Sequence, residues 1–399
     1  MIKREKYLSK IREFYDADLI KVIMGIRRCG KSVLLKQIIE EIKEKGIDDK
    51  HIIYINFEDL EYSNISDYLE LNKYIKEKII DDKKYYLFFD EIQLVESWEK
   101  TINSFKATLN VSIFITGSNS KLLSSELATL LSGRYISFKI APFTFSEVVE
   151  LKGLKEKRDI EDAFNEYLLW GGMPQRFEFQ TLDGVKVYLS DVFDAIVLKD
   201  IVKRNSIKNV TLFQRVMEYL VTNPSQTFSP TNMLNEFVKE GIPISSRTIY
   251  ERLDYAESSL LMSKVSTYDI RGKKILSRKD KYYLADLGLG QILNINKRTQ
   301  YGAYLENIVY NELIFRGYNV SVGNNNGREI DFIATKHNVK EYYQVTFDLS
   351  NKETEIREFS AYDNIDDNYP KYVISMDKLD YSQNGIIHKN IIDFLLENK

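Results

Sequence analysis

The sequence predicts a multidomain α/β protein whose first part is built on a parallel sheet. A glycine-rich loop, Gly25–Ser32, lies between a short apolar strand and a helix. A second apolar run, Tyr85–Phe89, ends in two adjacent acids and is typical of a buried parallel strand. The length of 399 residues is enough for two to four domains of about 100–200 residues each.

The glycine-rich loop matches the pattern G-x-x-x-x-G-K-[ST] in the context that this pattern requires. Leu19–Met24 is apolar apart from Lys21, and the apolar residues of Val33–Ile42 recur at helical spacing. The alternative is a glycine-rich turn that matches the pattern by chance. The strand before the loop and the helix after it both argue against this alternative. Loop N–H groups at a helix N-terminus bind polyphosphate. We therefore expect ATP and Mg²⁺, with Lys31 reaching the β- and γ-phosphates and Ser32 on the metal. The predicted nucleotide-binding residues are Gly25, Ile26, Arg27, Arg28, Cys29, Gly30, Lys31, Ser32 and Val33.

The two acids after the second strand have the form of a Walker B motif. Asp90 would hold Mg²⁺ opposite Ser32, and Glu91 would orient and polarise the attacking water. A strand that stops at a solvated acidic turn is the alternative. A position about 60 residues after the loop favours the catalytic interpretation.

Two further features are candidates for the same site. The strand Val111–Thr116 runs into polar residues, of which Ser118 or Asn119 would sense the γ-phosphate or the water, with the choice between them open. A plain Ser/Asn turn is the alternative. Arg134 would stabilise transition-state charge, either in its own site or as a finger in a neighbour's, unless it is a surface arginine after a glycine turn.

Several segments together resemble the prokaryotic AAA-type ATPases called AAA_14. The resemblance implies that the protein binds and hydrolyses ATP. It also implies four parts in chain order: an ATPase core (1–145), a helical lid (146–208), a winged helix and a nuclease-like C-terminal domain. The predicted fold class is thus a P-loop NTPase parallel sheet with helical lid, winged helix and C-terminal restriction-endonuclease-like α/β domain. The segments are Gly-Ile-Arg-Arg-Cys-Gly-Lys-Ser (25–32), Phe-Asp-Glu-Ile-Gln (89–93), Thr-Gly-Ser-Asn-Ser (116–120), Leu-Ser-Gly-Arg (131–134), Ala-Pro-Phe-Thr-Phe-Ser-Glu (141–147) and Trp-Gly-Gly-Met-Pro (170–174).

Residues 209–295 predict a winged helix-turn-helix, because three helical patterns precede two β-like stretches with a basic turn between them. DNA contact is one interpretation, and a protein-packing module is the other. Acidic residues on the third helix (Glu251, Asp254 and Glu257) weaken the DNA interpretation. The candidate DNA contacts are Arg247, Thr248, Tyr250 and Arg252 on the third helix and Arg271, Lys273 and Lys274 in the turn.

Residues 296–399 resemble the PD-(D/E)XK nuclease fold in the order of their elements. Glu306, Asp331 and Gln344 fit the positions of its metal ligands, whose hard oxygens would hold Mg²⁺. The lysine of that motif is replaced by Thr346, so no cation there would activate water. The sequence favours a degenerate domain used for binding or assembly over a cutting enzyme.

The composition of the chain limits where the protein is expected to act and what it is expected to bind. The net charge is −3, so any nucleic-acid binding would come from a local patch. No apolar run approaches the roughly 18 residues of a membrane helix, and the N-terminus has no signal-peptide core, so we expect a cytoplasmic protein without membrane contact. The three histidines fit no zinc spacing. The single cysteine, Cys29, lies in the loop, so we expect ATP to protect it from alkylation.

The sequence leaves three functions to compare. The first is a Mg²⁺-dependent ATP-hydrolysing switch that couples its nucleotide state to the C-terminal modules. Those modules would act on DNA through the winged helix, on a protein partner or within a homo-oligomer. The second is a nucleotide-gated regulatory binding module with negligible turnover. The third is a metal-dependent DNA nuclease.

Overall fold

The computed structural model describes residues 2–118, 131, 133–203, 205–223, 225, 228–242, 244–293 and 300–397, without the side chains of 199, 230 and 277–279. The chain forms two compact units. The first comprises Met1–Pro142 with Ser258–Leu260, and the second comprises Phe143–Glu257 with Leu261–Lys399. The division of the second unit into lid, winged helix and nuclease-like domain stays a prediction.

The first unit is built on a parallel sheet. Within the described residues its five strands have the order β2-β3-β4-β1-β5. Because all strands run the same way, the segments that follow β1, β3 and β4 meet at one edge of the sheet. The strands are β1 (Ile20–Met24), β2 (Ile52–Asn56), β3 (Tyr85–Asp90), β4 (Val111–Gly117) and β5 (Tyr135–Lys139).

The helices of this unit bury one apolar face each. The second helix is the most important for the site, because it begins directly after the glycine-rich loop and buries Leu34, Leu35, Ile38 and Ile42. The third begins at an Asp67 side chain that accepts from two backbone N–H groups of its first turn. The bounds are α1 (Glu5–Ile11), α2 (Lys31–Glu44), α3 (Tyr68–Lys78) and α4 (Trp98–Thr108).

Helices predominate in the first half of the second unit. Thr144 and Glu147 form a capping box at the start of its first helix. A π-helical stretch, Ala195–Lys203, continues the third. The helices are α5 (Phe145–Lys152), α6 (Lys157–Trp170), α7 (Leu182–Asp194), α8 (Val210–Thr222), α9 (Pro230–Lys239), α10 (Ser246–Ser258), α11 (Gly288–Gln291), α12 (Tyr301–Phe315), α13 (Lys352–Ser360) and α14 (Ile391–Leu396).

A mixed sheet forms the rest of the second unit. In the part of the chain that the structure describes, seven strands have the order β12-β11-β10-β9-β8-β6-β7. The predicted hairpin, β6 with β7, is joined to the C-terminal strands because Thr267–Asp269 pairs in parallel with Val322–Asn324 of β8. One sheet therefore spans the predicted boundary at residue 295. The strands are β6 (Met262–Asp269), β7 (Lys274–Leu284), β8 (Asn319–Asn325), β9 (Arg328–Lys336), β10 (Val339–Val345), β11 (Lys371–Ser375) and β12 (Ile387–Asn390).

The structure confirms a mixed α/β protein with a parallel sheet. Among the described residues, no helix is both long and apolar enough to cross a membrane.

Candidate nucleotide-binding site

The loop after β1 has a backbone that requires glycine at two positions. A Cβ atom on Gly25 would lie 2.3 Å from the carbonyl oxygen of Ile140 and 2.6 Å from Cys29 Sγ. Gly30 has φ of +102°, a left-handed conformation that other residues rarely adopt. The loop therefore closes tightly before the first turn of α2, and its tight course explains the glycine spacing of the motif.

Lys31 is the first residue of α2, and its side chain is buried under the loop. The Nζ atom donates to the carbonyl oxygens of Gly25 at 3.1 Å and Ile26 at 3.4 Å. It also forms an ion pair with Glu91 Oε1 at 3.5 Å. The predicted phosphate-binding lysine and the predicted catalytic acid are thus in direct contact.

Asp90 ends β3 and is fully buried, and both of its carboxylate oxygens accept hydrogen bonds. Thr116 Oγ1 donates to Oδ1 at 2.5 Å. The Tyr54 hydroxyl donates to Oδ2 at 3.0 Å. Burial, together with the Asp90 carboxylate, raises the pKa of Tyr54 above its ordinary value, so the hydroxyl remains a donor. Neighbouring strands on both sides of β3 therefore fix the orientation of Asp90.

Glu91 adopts a left-handed backbone conformation, with φ of +57°. Such a conformation is strained for a residue with a side chain and persists only where the surroundings hold it. Here the Glu91 N–H donates to Thr116 Oγ1 at 2.9 Å, and Gln93 Nε2 donates to Glu91 Oε2. The strained backbone directs the carboxylate toward Lys31.

Thr116 is a site residue that sequence reasoning missed. It lies near the end of β4 and contacts both acids, whereas the predicted sensors follow it. Ser118 is buried just beyond the strand, and Asn119 lies outside the described residues. The sequence does show a hydroxyl residue near the end of a predicted strand. It does not show that this strand, β4, lies next to β3, which only the strand order reveals.

Arg134 lies at the opposite edge of the sheet from the loop. Its carbonyl oxygen accepts from Ile20 N–H at 2.9 Å, next to the first residue pair of β5 and β1. Five residues at about 3.3 Å each separate Ile20 from Gly25, or about 16 Å, which is farther than an arginine side chain extends. The prediction that Arg134 acts in its own site is therefore wrong. Its exposed side chain is compatible with action in a neighbour's site or with a plain surface arginine.

The N-terminal segment supports the loop in a way that the sequence did not indicate. The Arg4 guanidinium donates to the carbonyl oxygens of Cys29 at 3.3 Å and Ala141 at 3.1 Å. Gln37 on α2 pairs with the same segment, because its Oε1 accepts from Arg4 N–H and its Nε2 donates to the Ile2 carbonyl. The segment before α1 therefore connects the loop with α2.

Cys29 is fully buried, and burial raises the pKa of its thiol. Because the thiolate is the reactive form, alkylation in the folded protein is slow with or without ATP. Protection of Cys29 by ATP stays a prediction, and burial of the thiol makes it a weak readout of nucleotide binding.

The candidate DNA contacts on α10 differ in how exposed their side chains are. Arg247 is exposed and pairs with Glu251 at 3.1 Å. Tyr250 is exposed, and the N–H of Thr248 donates to Ser245 Oγ at the start of the helix. The guanidinium of Arg252 lies 5.8 Å from the ring of Phe213 and 5.5 Å from that of Tyr255, with its Nε buried. Arg252 is half-buried and packs partly within the unit, so its assignment as a DNA contact is less favoured than that of Arg247 and stays a prediction.

The turn between β6 and β7 carries the remaining candidates. Arg271, Lys273 and Lys274 are all exposed. Ile275 beside them is 70% exposed, which is unusual for an isoleucine. The turn thus presents cations and one apolar side chain on the outer strand of the sheet.

The nuclease-like residues come together, but with a lysine among them. Lys281 Nζ lies 2.9 Å from Glu306 Oε1 and 3.9 Å from Asp331 Oδ1. Gln344 is turned away, because its Oε1 accepts from Asp331 N–H and its Nε2 donates to Glu358. Burial raises the pKa of both Glu306 and Asp331. Although burial opposes its charged form, these carboxylates raise the pKa of Lys281 above its ordinary value.

The Trp-Gly-Gly-Met-Pro segment is explained by one buried carboxylate. Asp286 Oδ2 accepts from Gly172 N–H at 2.6 Å, and Oδ1 accepts from Gly288 N–H at 2.9 Å. A Cβ on Gly171 would lie 2.0 Å from Asp286, and one on Gly172 would lie 2.0 Å from the Phe143 carbonyl. Burial raises the pKa of Asp286 to about 6. The two glycines therefore allow close packing inside the second unit.

Two family models match the chain. Residues 17–149 match the AAA domain of the AAA_14 family. Residues 161–300 match a domain of unknown function, DUF8612. The first model contains the loop and both acids.

Relatives of the chain occur in bacteria and archaea. An uncharacterized protein of Haemophilus influenzae is 39% identical over 401 residues, which cover 100% of this chain and 99% of the relative. The uncharacterized protein MJ1544 of Methanocaldococcus jannaschii is 34% identical over 357 residues, 85% of this chain and 78% of the relative. Among solved structures, the Walker-type ATPase PABY2304 of Pyrococcus abyssi covers 74% of this chain and 96% of its own at 15% identity, with a TM-score of 0.49.

Proposed function

Because the chain belongs to one family with these Haemophilus and Methanocaldococcus proteins and carries the AAA_14 P-loop ATPase domain, we propose that it binds ATP with Mg²⁺ and hydrolyses it. The observation that carries the proposal is the direct contact of Lys31 with Glu91 beside a buried Asp90, all at one edge of the sheet. A glycine loop alone would support nucleotide binding. The acid held against its lysine supports turnover.

Each residue has a role that follows from its chemistry. The loop N–H groups and the Lys31 ammonium bind the phosphates. Asp90 and Ser32 would supply hard oxygens, the ligands that Mg²⁺ prefers, so the donor chemistry of these residues fits the ion. When bound, the ion would neutralise charge on the β- and γ-phosphates. Glu91 accepts a proton from the attacking water and orients it.

The Lys31–Glu91 pair also gives a route by which ATP prepares its own hydrolysis. A γ-phosphate that reaches Lys31 competes with Glu91 for the ammonium, since both are anions. Displacement leaves Glu91 held by Gln93 and by the Thr116 bond to its N–H, with one carboxylate oxygen available for water. The base is thereby released only when nucleotide is present.

Phosphate release tests the catalytic assignment. We expect Glu91→Gln to lower kcat at least 100-fold while the protein still binds a fluorescent ATP analogue, roughly the contribution of a general base. Glu96→Gln is the matched control, because Glu96 is exposed five residues farther along the chain. Lys31→Ala should abolish binding, and Lys36→Ala, an exposed lysine of the same helix, should not. Equal rates for Glu91→Gln and wild type would refute the assignment.

The same measurements separate the switch from a gated binding module. Tight ATP binding by the wild type with no phosphate release above the Glu91→Gln level would favour the module without turnover. Multiple turnovers would favour the ATPase.

The proposal extends to the second unit, where the exposed cations Arg247, Lys273 and Lys274 support DNA as a target of the switch. We expect duplex DNA to bind with an affinity that falls as salt rises. Replacing Lys273 and Lys274 together by alanine should reduce the slope of log K against log salt by about one for each phosphate that the variant no longer neutralises. Lys239→Ala, an exposed lysine at the end of α9, is the control. An unchanged slope would favour a protein partner instead.

A further inference from the structure

Lys281 lies where the mixed sheet meets α12, and its side chain is almost completely buried. The Nζ atom is 2.9 Å from Glu306 Oε1 on α12 and 2.6 Å from Glu329 Oε1 on β9. A third carboxylate, Asp331 of β9, is 3.9 Å away. One ammonium group therefore faces carboxylates from two elements other than its own.

Two of the carboxylate oxygens around Lys281 also accept hydrogen bonds from other groups. Glu306 Oε1 accepts from both Lys281 and the hydroxyl of Tyr283, the latter at 2.6 Å. Asp331 Oδ2 accepts from Val345 N–H at 2.8 Å. Gln344, the third residue of the predicted metal set, has both ends of its amide engaged elsewhere.

These residues do not fit a divalent metal ion. Mg²⁺ requires about six oxygens in near-octahedral geometry, several of them from water. A fixed cation already lies among the carboxylates, and bringing a second positive charge beside it in a buried site is costly. Across the described residues, no three His, Cys, Asp or Glu side chains converge so that they could hold a metal ion.

We propose that the Lys281 ammonium is the resident cation of this centre and takes the place that a divalent metal would have. The centre is then a brace that joins strand β7 of the predicted wing to α12 and β9. In a nuclease, the positive charge of a catalytic lysine or metal stabilises the phosphodiester that reacts. Here the positive charge of Lys281 is instead neutralised by ion pairs within the protein. The predicted wing is thereby fixed to the C-terminal strands without any metal.

Metal binding to the nucleotide-free, full-length wild type tests the first part. We expect Mn²⁺, followed by the electron paramagnetic resonance signal of the free ion, to bind equally to wild type and to Asp331→Asn. Any Mn²⁺ held by the ATP site is common to both proteins and cancels. Mn²⁺ binding in the wild type that Asp331→Asn removes would overturn the proposal, and this comparison requires no change at Lys281.

Thermal unfolding tests the brace. Lys281→Met keeps the length of the side chain but leaves buried carboxylates unpaired, so we expect Tm to fall by roughly 6–20 °C. Lys264→Met on the neighbouring strand is the matched control, because Lys264 pairs with Asp280 at 3.1 Å in a more exposed position. Its Tm should change by less than about 4 °C. A fall no larger than that of the control would overturn the brace.

Rescue distinguishes replacement of a metal from general destabilisation. The three carboxylates do not converge on a metal position while Lys281 separates them. Without the ammonium they are free to shift toward an ion, so Mn²⁺ should restore part of the lost Tm in Lys281→Met. It should restore none in the double variant Lys281→Met, Asp331→Asn. Rescue of both variants, or of neither, would refute the statement that the ammonium takes the place of a metal.

Discussion

Thr116 offers a sharp test of how the acids of the ATP site are held. Its hydroxyl donates to Asp90 Oδ1 and accepts the N–H of Glu91, so one side chain positions both acids. Thr116→Val keeps the shape and removes the hydroxyl. Asp90 then loses a charge-assisted bond, worth about 1.5–3 kcal/mol, and the partly buried N–H of Glu91 loses its acceptor, which costs at most about 1–3 kcal/mol.

The expected consequences are a less stable first unit and a slower reaction. We expect the free energy of unfolding to fall by about 3–5 kcal/mol, since such terms do not add fully. A misplacement of about 1 Å in a catalytic group costs on the order of 100-fold in rate. Phosphate release at saturating ATP and Mg²⁺ should therefore fall about 100-fold per folded molecule, while nucleotide affinity changes little.

Ser112 provides the matched control on the same strand. Its hydroxyl donates to the Tyr15 carbonyl at 2.5 Å and accepts from Lys21 Nζ at 2.6 Å, so Ser112→Ala also removes two buried hydrogen bonds. It lies at the other end of β4, and we expect a comparable loss of stability with kcat within about twofold of wild type. A Thr116→Val protein with wild-type kcat would refute the positioning role. An equal loss of kcat in Ser112→Ala would show that the effect is global.

Three further predictions follow from groups in the two units. Asp286 has a folded-state pKa of about 6, above the unfolded value of 3.8, so its contribution to stability is present below pH 4 and is lost as pH rises through 6. Relative to Asp286→Asn, the free energy of unfolding of the wild type should therefore fall by about 3 kcal/mol between pH 4 and 7. A difference between the two proteins that does not change with pH would contradict this prediction. Arg4→Met should raise the Kd for an ATP analogue about tenfold, because the loop carbonyl of Cys29 loses a cationic donor, and unchanged affinity would be the contrary result. Cys29 should react with iodoacetamide only at the rate of local or global unfolding, and rapid labelling of the folded protein would contradict its burial.

The sequence predicted those parts of the fold whose signals are local. Strands β1 and β3 were readable because each is a short and mostly apolar run, and α2 because it follows a glycine loop with fixed spacing. The same holds for α8 and α10, whose apolar residues recur at helical intervals and whose ends are marked by Asn, Pro or Ser.

Contacts that depend on strand order could not be predicted. Thr116 and Tyr54 reach Asp90 because β4 and β2 flank β3. Arg134 lies at the wrong edge because β5 pairs with β1 from its first residue. Lys281 meets Glu306 across 25 positions of sequence, and nothing in a local pattern signals that encounter. The sequence position of a charged residue does not identify the residue with which it pairs, because many other charged residues of the chain could form the same ion pair.

Strand β7 is one end of the strand order in the described sheet, and only its second half is covered, where the carbonyl oxygens of Asp280 and Tyr282 accept from the N–H groups of Phe228 and Ser225. Exposed edges of this kind can recruit a strand from another molecule and so begin aggregation. Natural edges resist such pairing with lysine and other charges, and β7 begins with the exposed Lys274. Lys274 is a candidate phosphate contact that therefore also protects the uncovered part of this strand, and we expect its replacement in a DNA-binding experiment to favour aggregation.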